Sequence, residues 1–311
     1  MRYTVRAPTA RYRTILMDTE RWEHVPFRDG DIVISSPPKC GTTWTQMMCA
    51  LLIFQTPDLP RPLDAISHWP DALTHRLDDV LADLAAQPHR RFMKSHTPLD
   101  GLPFDDRVTY ICVARDPRDV AISWDNHIDN ADMEVAMGMR AAAVGMDDLD
   151  PSMPMGLPER PESARDRFWA WIDHDDTLVG LPALSHHLST FWQARHEPNV
   201  VLLHYDELKN DREGQMRRLA ARLGIEVAEQ RWPELLKAAG FDAMQSRVSE
   251  LTPEITLWRD PARFFHRGTS GQWRDLLDAD DLRRYEARVG ELFAPDLADW
   301  VHHGSPAPGP R

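Results

Sequence analysis

Residues 31–44 read DIVISSPPKCGTTW, and this stretch decides the fold. Asp31–Ser35 is a short β-branched run after a turn signal at Asp29-Gly30, which predicts a buried strand. Pro37 and Pro38 end it. Beyond them Trp44, Met47, Met48, Leu51 and Leu52 fall at i, i+3, i+4, i+7 and i+8, the apolar face of a helix. The chain therefore runs strand–loop–helix, with Lys39-Cys40-Gly41-Thr42-Thr43 at the junction. A turn entering a helix presents unpaired N–H groups, and the helix dipole adds to them, so the junction is a candidate anion site. Gly41 lets the backbone approach a ligand closely, Thr42 and Thr43 add hydroxyl donors, and Lys39 adds a charge. The lysine lies two residues before the loop's glycine, so the nucleotide pattern G-x-x-x-x-G-K-[ST] is not matched. No Asp in the loop is placed to hold magnesium. Taken alone, a strand–loop–helix of this kind is also compatible with an ordinary solvated loop.

Three further strands follow by the same reasoning. Arg91–Ser95 (RFMKS) is ended by His96-Thr97-Pro98. Val108–Ala114 (VTYICVA) is followed by Asp116-Pro117, a cap residue and a first-turn proline that predict a helix running to about Asp129. Asn199–His204 (NVVLLH) precedes Asp206, read as the cap of a helix that ends near Leu223-Gly224. Continuous apolar strands alternating with helices predict an α/β fold, a parallel sheet covered by helices on both faces. Ligands on such sheets bind at the carboxyl ends of the strands. One domain is expected over residues 1–302, with residues 303–311 (HGSPAPGPR) as a disordered tail. Ala131–Pro161, rich in Met, Gly, Pro and Asp with weak periodicity, reads either as a lid or acceptor-lining insertion or as a surface excursion.

Composition narrows the partners. Among 311 residues, 36 are basic and 49 acidic, for a net charge of −13. That balance disfavours nucleic acid or an anionic membrane as the main partner. Lysine occurs only at Lys39, Lys94, Lys209 and Lys237, and two of the four fall in the segments that carry chemistry. Cys40, Cys49 and Cys112 are too few and scattered for a disulfide framework or a zinc site. Met1–Trp22 is Arg-rich and lacks the apolar stretch of a signal peptide. The apolar run Cys49–Phe54 is too short to span a bilayer. A cytoplasmic protein with no transmembrane segment is expected.

The full run Ser36–Trp44 resembles the 5′-phosphosulfate loop of the cytosolic-type sulfotransferases, P-K-S/A-G-T-T-W. Other marks of that family follow in order. Phe92-Met93-Lys94-Ser95-His96 is similar to the segment carrying the catalytic histidine. Arg115 and Ser123, eight apart, match the pair that grips a 3′-phosphate. Tyr205, and then Phe241 and Met244, match adenine contacts. Phe264-Phe265-His266-Arg267-Gly268-Thr269-Ser270-Gly271-Gln272-Trp273 resembles the late F-x-R-K-G-x-x-G-D-W motif. The resemblance spans about Gly30 to Trp273. It implies a P-loop-NTPase-like domain that uses 3′-phosphoadenosine-5′-phosphosulfate (PAPS), releases 3′-phosphoadenosine-5′-phosphate (PAP) and requires no metal. His266 stands where the family usually has arginine, which implies weaker or pH-dependent phosphate binding. Cys40 replaces the commoner Ser or Ala. The Lys and Thr-Val of a dimer motif common in animal members are absent after Trp273.

The resemblance also implies roles. His96 is the general base, Lys39 faces the leaving phosphate, and Lys94 holds sulfonate oxygens. Cys40, Gly41, Thr42, Thr43 and Trp44 form the nucleotide loop with Lys39, and Arg115, Ser123, His266, Arg267 and Gly268 surround the 3′-phosphate. Each has a plainer reading: a structural histidine, solvated lysines, an Arg115 ion pair with Asp116 or Asp119, core aromatics. The acceptor expected is a hydroxyl of a small-molecule or glycolipid-like compound, with Trp69 and Trp124 as candidate lining. Two other functions remain open at this point: a P-loop kinase or NTPase, and a non-catalytic nucleotide-binding protein.

Overall fold

The computed structural model describes residues 3–149, 160–175, 179–252, 255–265 and 267–304. Its centre is a four-stranded parallel sheet made of β1 (Ile32–Ser35), β2 (Phe92–Ser95), β3 (Thr109–Ala114) and β4 (Val200–His204). The order is β2-β1-β3-β4, with Ser35 beside Ser95 and Ala114 beside His204. Side chains alternate across the pleat. Ile32, Ile34, Phe92, Ile111 and Val113 pack with Met47, Met48 and Leu51 from α1 (Thr42–Phe54). Val33, Met93, Tyr110 and Cys112 pack on the other side with Val120 and Ala121 of α2 (Pro117–Asn130), and with Phe168, Ile172 and Leu188. Both faces are therefore buried, which is why each strand reads as a continuous apolar run.

Each strand begins one residue later than the sequence predicts. Asp31 and Arg91, the residues before β1 and β2, instead form a fully buried ion pair across the strand starts, with the Arg91 Nε donating to Asp31 Oδ1 at 2.9 Å. Asn199 donates its side-chain amide to the carbonyls of Asp105 and Val108. The helix expected from Asp206 to Leu223 is two helices. His204, not Asp206, caps Tyr205–Asn210, accepting the Asp206 amide on Nδ1. Asp211 then stops that helix and starts Arg212–Leu223 by accepting the Gly214 amide at 3.0 Å. An Asp side chain competes with the backbone for amides, so it breaks a helix where it can cap a new one. Gly224 ends the second helix in the left-handed region, as expected.

The Ala131–Pro161 segment contains a regular helix, Met133–Val144, capped by Asp132. Arg140 anchors it, donating to the Ile15 carbonyl and pairing with Asp148. Residues 150–159 of that segment lie outside the described residues, as does the tail from 305 on. Among the described residues, no helix is long and apolar enough to cross a membrane.

Candidate active site

The loop between β1 and α1 adopts two left-handed residues, Lys39 at φ 69° and Gly41 at φ 110°. This path turns the chain into α1 so that Thr45 is the first residue whose amide reaches an intrahelical carbonyl, that of Gly41, at 3.0 Å. The preceding amides, Thr42 to Trp44, lie in the first turn and have no such partner. The buried Thr42 hydroxyl likewise has no hydrogen-bond partner among the described residues. Gly41 is required twice over. Its φ disfavours a side chain, and a Cβ there would meet Tyr205 Cδ2 at 3.1 Å. Gly41→Ala is therefore expected to cost about 1–2 kcal/mol of stability, read as a lower urea midpoint with an unchanged m-value.

A cavity of about 240 Å³ opens over this loop. It is lined by Lys39, Gly41, Thr42, Thr43, Trp44, Lys94, His96, Arg115, Ser123, Tyr205, Phe241, Met244, Arg267 and Gly268. These positions, spread from residue 39 to 268, all come to one place. Cys40 is the exception. Its thiol is wholly buried in the core, its amide bonds the Pro37 carbonyl, and burial pushes its pKa up to about 12. His266 lies outside the described residues. Trp44 is fixed at both ends: its indole N–H donates to the Ala239 carbonyl at 2.9 Å, and its ring meets Tyr205 edge-on.

Arg115 does not pair with its neighbouring carboxylates. Asp116 caps α2 and is taken by Arg118, while Asp119 accepts the amides of Gly271 and Gln272. Arg115 donates to the carbonyls of Lys39 and Thr269, lies 4.2 Å over the Tyr205 ring, and keeps a buried Nε without a partner among the described residues. Together Arg115 and Asp119 fasten the late Gly-rich loop to the start of α2.

His96 follows β2. Its Nδ1 lies 2.7 Å from the Ser36 carbonyl, which can only accept, so the proton sits on Nδ1 and the Nε2 lone pair is free. Burial, helped by the Lys94 charge, holds its pKa well below the ordinary imidazole range. The flanking residues Ser95 and Thr97 both donate to buried Asp71, which anchors the loop. The Lys94 ammonium lies 4.4 Å over the Trp69 ring, and that ring meets His96 edge-on. Lys39 is partly buried at the cavity wall. Burial and the Arg115 and Lys94 charges lower its pKa to about 7, and its Nζ lies 3.3 Å from His127 Nδ1.

The cavity includes residues that the sequence reading missed. Asn126, His127 and Asn130 lie three, four and seven positions after Ser123, so one helical face carries them all. That spacing was available as a signal. Trp258, Arg263, Phe264 and Phe265 also line the cavity, as do Lys209 and Arg212. A second cavity of about 20 Å³ adjoins the first at Pro38 and His96 and is walled by Trp124, Trp171, Leu184 and His187. Trp124 thus lines the second cavity beside His96, whereas Trp69 lines neither cavity. Among the described residues, none from 132 to 149 lines either cavity.

A family model described as "Sulfotransferase domain" matches residues 29–295. The chain is 40% identical over 307 residues to the glycolipid sulfotransferase of Mycobacterium bovis, covering 94% of each sequence. Among solved structures, mouse sulfotransferase SULT7A1 complexed with PAP superposes with a TM-score of 0.66 at 18% identity, covering 96% of this chain and 98% of that one. Retinol dehydratase in a complex with retinol and PAP gives a TM-score of 0.62 at 21% identity, covering 88% and 86%. These two likenesses concern the fold: a central parallel sheet flanked by helices, as expected.

Proposed function

Because this chain belongs to the sulfotransferase family, we propose that it moves a sulfonate group from PAPS to a hydroxyl of a glycolipid-like acceptor. The observation that carries this reading is the convergence of His96, Lys94 and Lys39 on the cavity that holds the phosphate loop. The residues fit the donor. Thr42 Oγ1 and Arg115 Nε are buried donors without partners, and such atoms are costly unless a ligand satisfies them. Lys39, Lys94, Arg115, Arg263 and Arg267 line the cavity, and no carboxylate does among the described residues. When bound, PAPS supplies an activated sulfonate on a phosphate leaving group.

The chain's own part is positioning and electrostatics. The unprotonated Nε2 of His96 would take the proton of the acceptor hydroxyl as the new O–S bond forms and the S–O bond to the donor's phosphate breaks. The Lys39 ammonium stabilises the negative charge left on the phosphate, and Lys94 orients the sulfonate oxygens. Arg115 and Ser123 hold the 3′-phosphate, and Tyr205, Phe241, Met244 and Trp44 enclose the base. The apolar cleft beyond His96 suits an acceptor that brings hydrocarbon to the reacting hydroxyl. The glycolipid class rests on the relative that is 40% identical.

Calorimetric titration with PAP, without magnesium, tests the donor site. PAP is expected to bind with clear preference over ATP, and Arg115→Ala to weaken it by about 10–100-fold through loss of charged hydrogen bonds. Transfer of label from PAPS to a glycolipid extract then tests the acceptor class. Preference for ATP with magnesium overturns the reading in favour of a kinase.

A further inference from the structure

The cavity holds a second, partly buried imidazole that the mechanism above does not use. We propose that His127 is a positioning residue for Lys39, its Nδ1 accepting the hydrogen bond that aims the ammonium. This inference rests on the function proposed above.

Lys39 carries its charge on a flexible four-carbon stem. Around it stand Arg115, at the end of β3, and Lys94, at the end of β2, both of which repel it. Among the described residues its ammonium has one hydrogen-bond partner, His127 Nδ1 at 3.3 Å, and otherwise lies 5.5 Å over the Phe264 ring. An ammonium can only donate, so His127 must present a lone pair on Nδ1 and carry its proton on Nε2. The surroundings keep the ring neutral. Burial and the charges of Lys39 and Lys94 hold its pKa well below the usual range, with His96 adding to the effect.

The ring itself is held in place. It packs between Trp124, at 5.4 Å, and Trp258, at 4.8 Å. Trp258 is in turn bridged to Ala131 at the end of α2. Two imidazoles of opposite tautomer therefore face one cavity. His96 donates from Nδ1 to the backbone and offers Nε2 to the acceptor hydroxyl. His127 offers Nδ1 to the lysine. Without that acceptor, the ammonium is left with the Phe264 ring 5.5 Å away and the push of two neighbouring cations, and it loses its alignment.

Three variants separate aiming from packing. His127→Asn keeps an acceptor near the Nδ1 position, His127→Leu has the size of Asn without it, and His127→Phe keeps the ring without it. Steady-state transfer from PAPS is measured for each, with folding checked by thermal melting. The Asn variant is expected to exceed the Leu and Phe variants in kcat by about tenfold, with the KM for PAPS changed by less than about threefold. A Phe variant as active as Asn or more so overturns the inference, and so does equality of Asn and Leu. Should the Phe variant not fold, the Asn–Leu comparison decides alone. Absence of transfer by the wild-type protein would instead count against the proposed function.

Discussion

His96→Ala is expected to lower kcat by about 10²–10⁴-fold, the usual contribution of a positioned general base, while PAP affinity stays within about threefold. The separation follows from the geometry. His96 lines the cavity, but among the described residues its one side-chain hydrogen bond runs to the Ser36 carbonyl. The groups proposed to hold phosphate, Thr42 and Arg115, do not depend on it. The same substitution leaves Asp71, Ser95 and Thr97 with their mutual bonds, so the loop persists. Because its pKa is depressed, His96 stays unprotonated through the neutral range. The acid limb of kcat/KM should accordingly fall below the ordinary imidazole pKa and vanish in the alanine variant. Near-wild-type turnover by His96→Ala would show that another group accepts the proton.

Lys39→Ala is expected to be comparably severe, about 10²–10³-fold in kcat, since it removes a preorganised donor at the leaving phosphate. Lys39 also predicts a pH dependence whose sign is fixed. Burial and the neighbouring cations lower its pKa to about 7. A phosphate beside it favours the ammonium, so the bound pKa is higher. PAP affinity is then fullest below about pH 7 and declines as pH rises through the bound value, with proton uptake on binding in between. Calorimetry in buffers of different ionisation enthalpy reads that uptake directly. It should disappear in Lys39→Ala, and its persistence there would move the effect to another group.

The sequence revealed most of this site because its motifs sit where local physics leaves little choice. Pro37-Pro38 ends a strand, Gly41 turns the chain, and Asp116-Pro117 starts a helix, so Lys39, Thr42 and Arg115 were placed by their immediate neighbours. His127 was also within reach, one helical turn beyond Ser123. Trp258 and Arg263 were not. Their position depends on Asn130, whose side chain exchanges two hydrogen bonds with Asp260, 130 residues away. Asp119 is spent in the same way: it reads as a possible ion-pair partner of Arg115, yet its carboxylate holds the amide of Gly271, 152 residues downstream. Asp206, read as a cap, instead accepts the Ser270 hydroxyl. Side chains spent on distant backbone cannot be told from local caps without the packed chain.

Lys39 also bears on how such a chain can drift. It is a non-glycine residue at φ 69°, a conformation that glycine adopts freely, and it buries a cation beside two others. Glycine at this position would relieve both the backbone and the charge, so the gradient of folding stability points away from the lysine. Screening variants for thermal robustness alone would discard it. On the role proposed for it, selection on catalysis is what holds it in place, and a stabilised descendant that has lost its lysine here would be a well-folded relic rather than an improved enzyme.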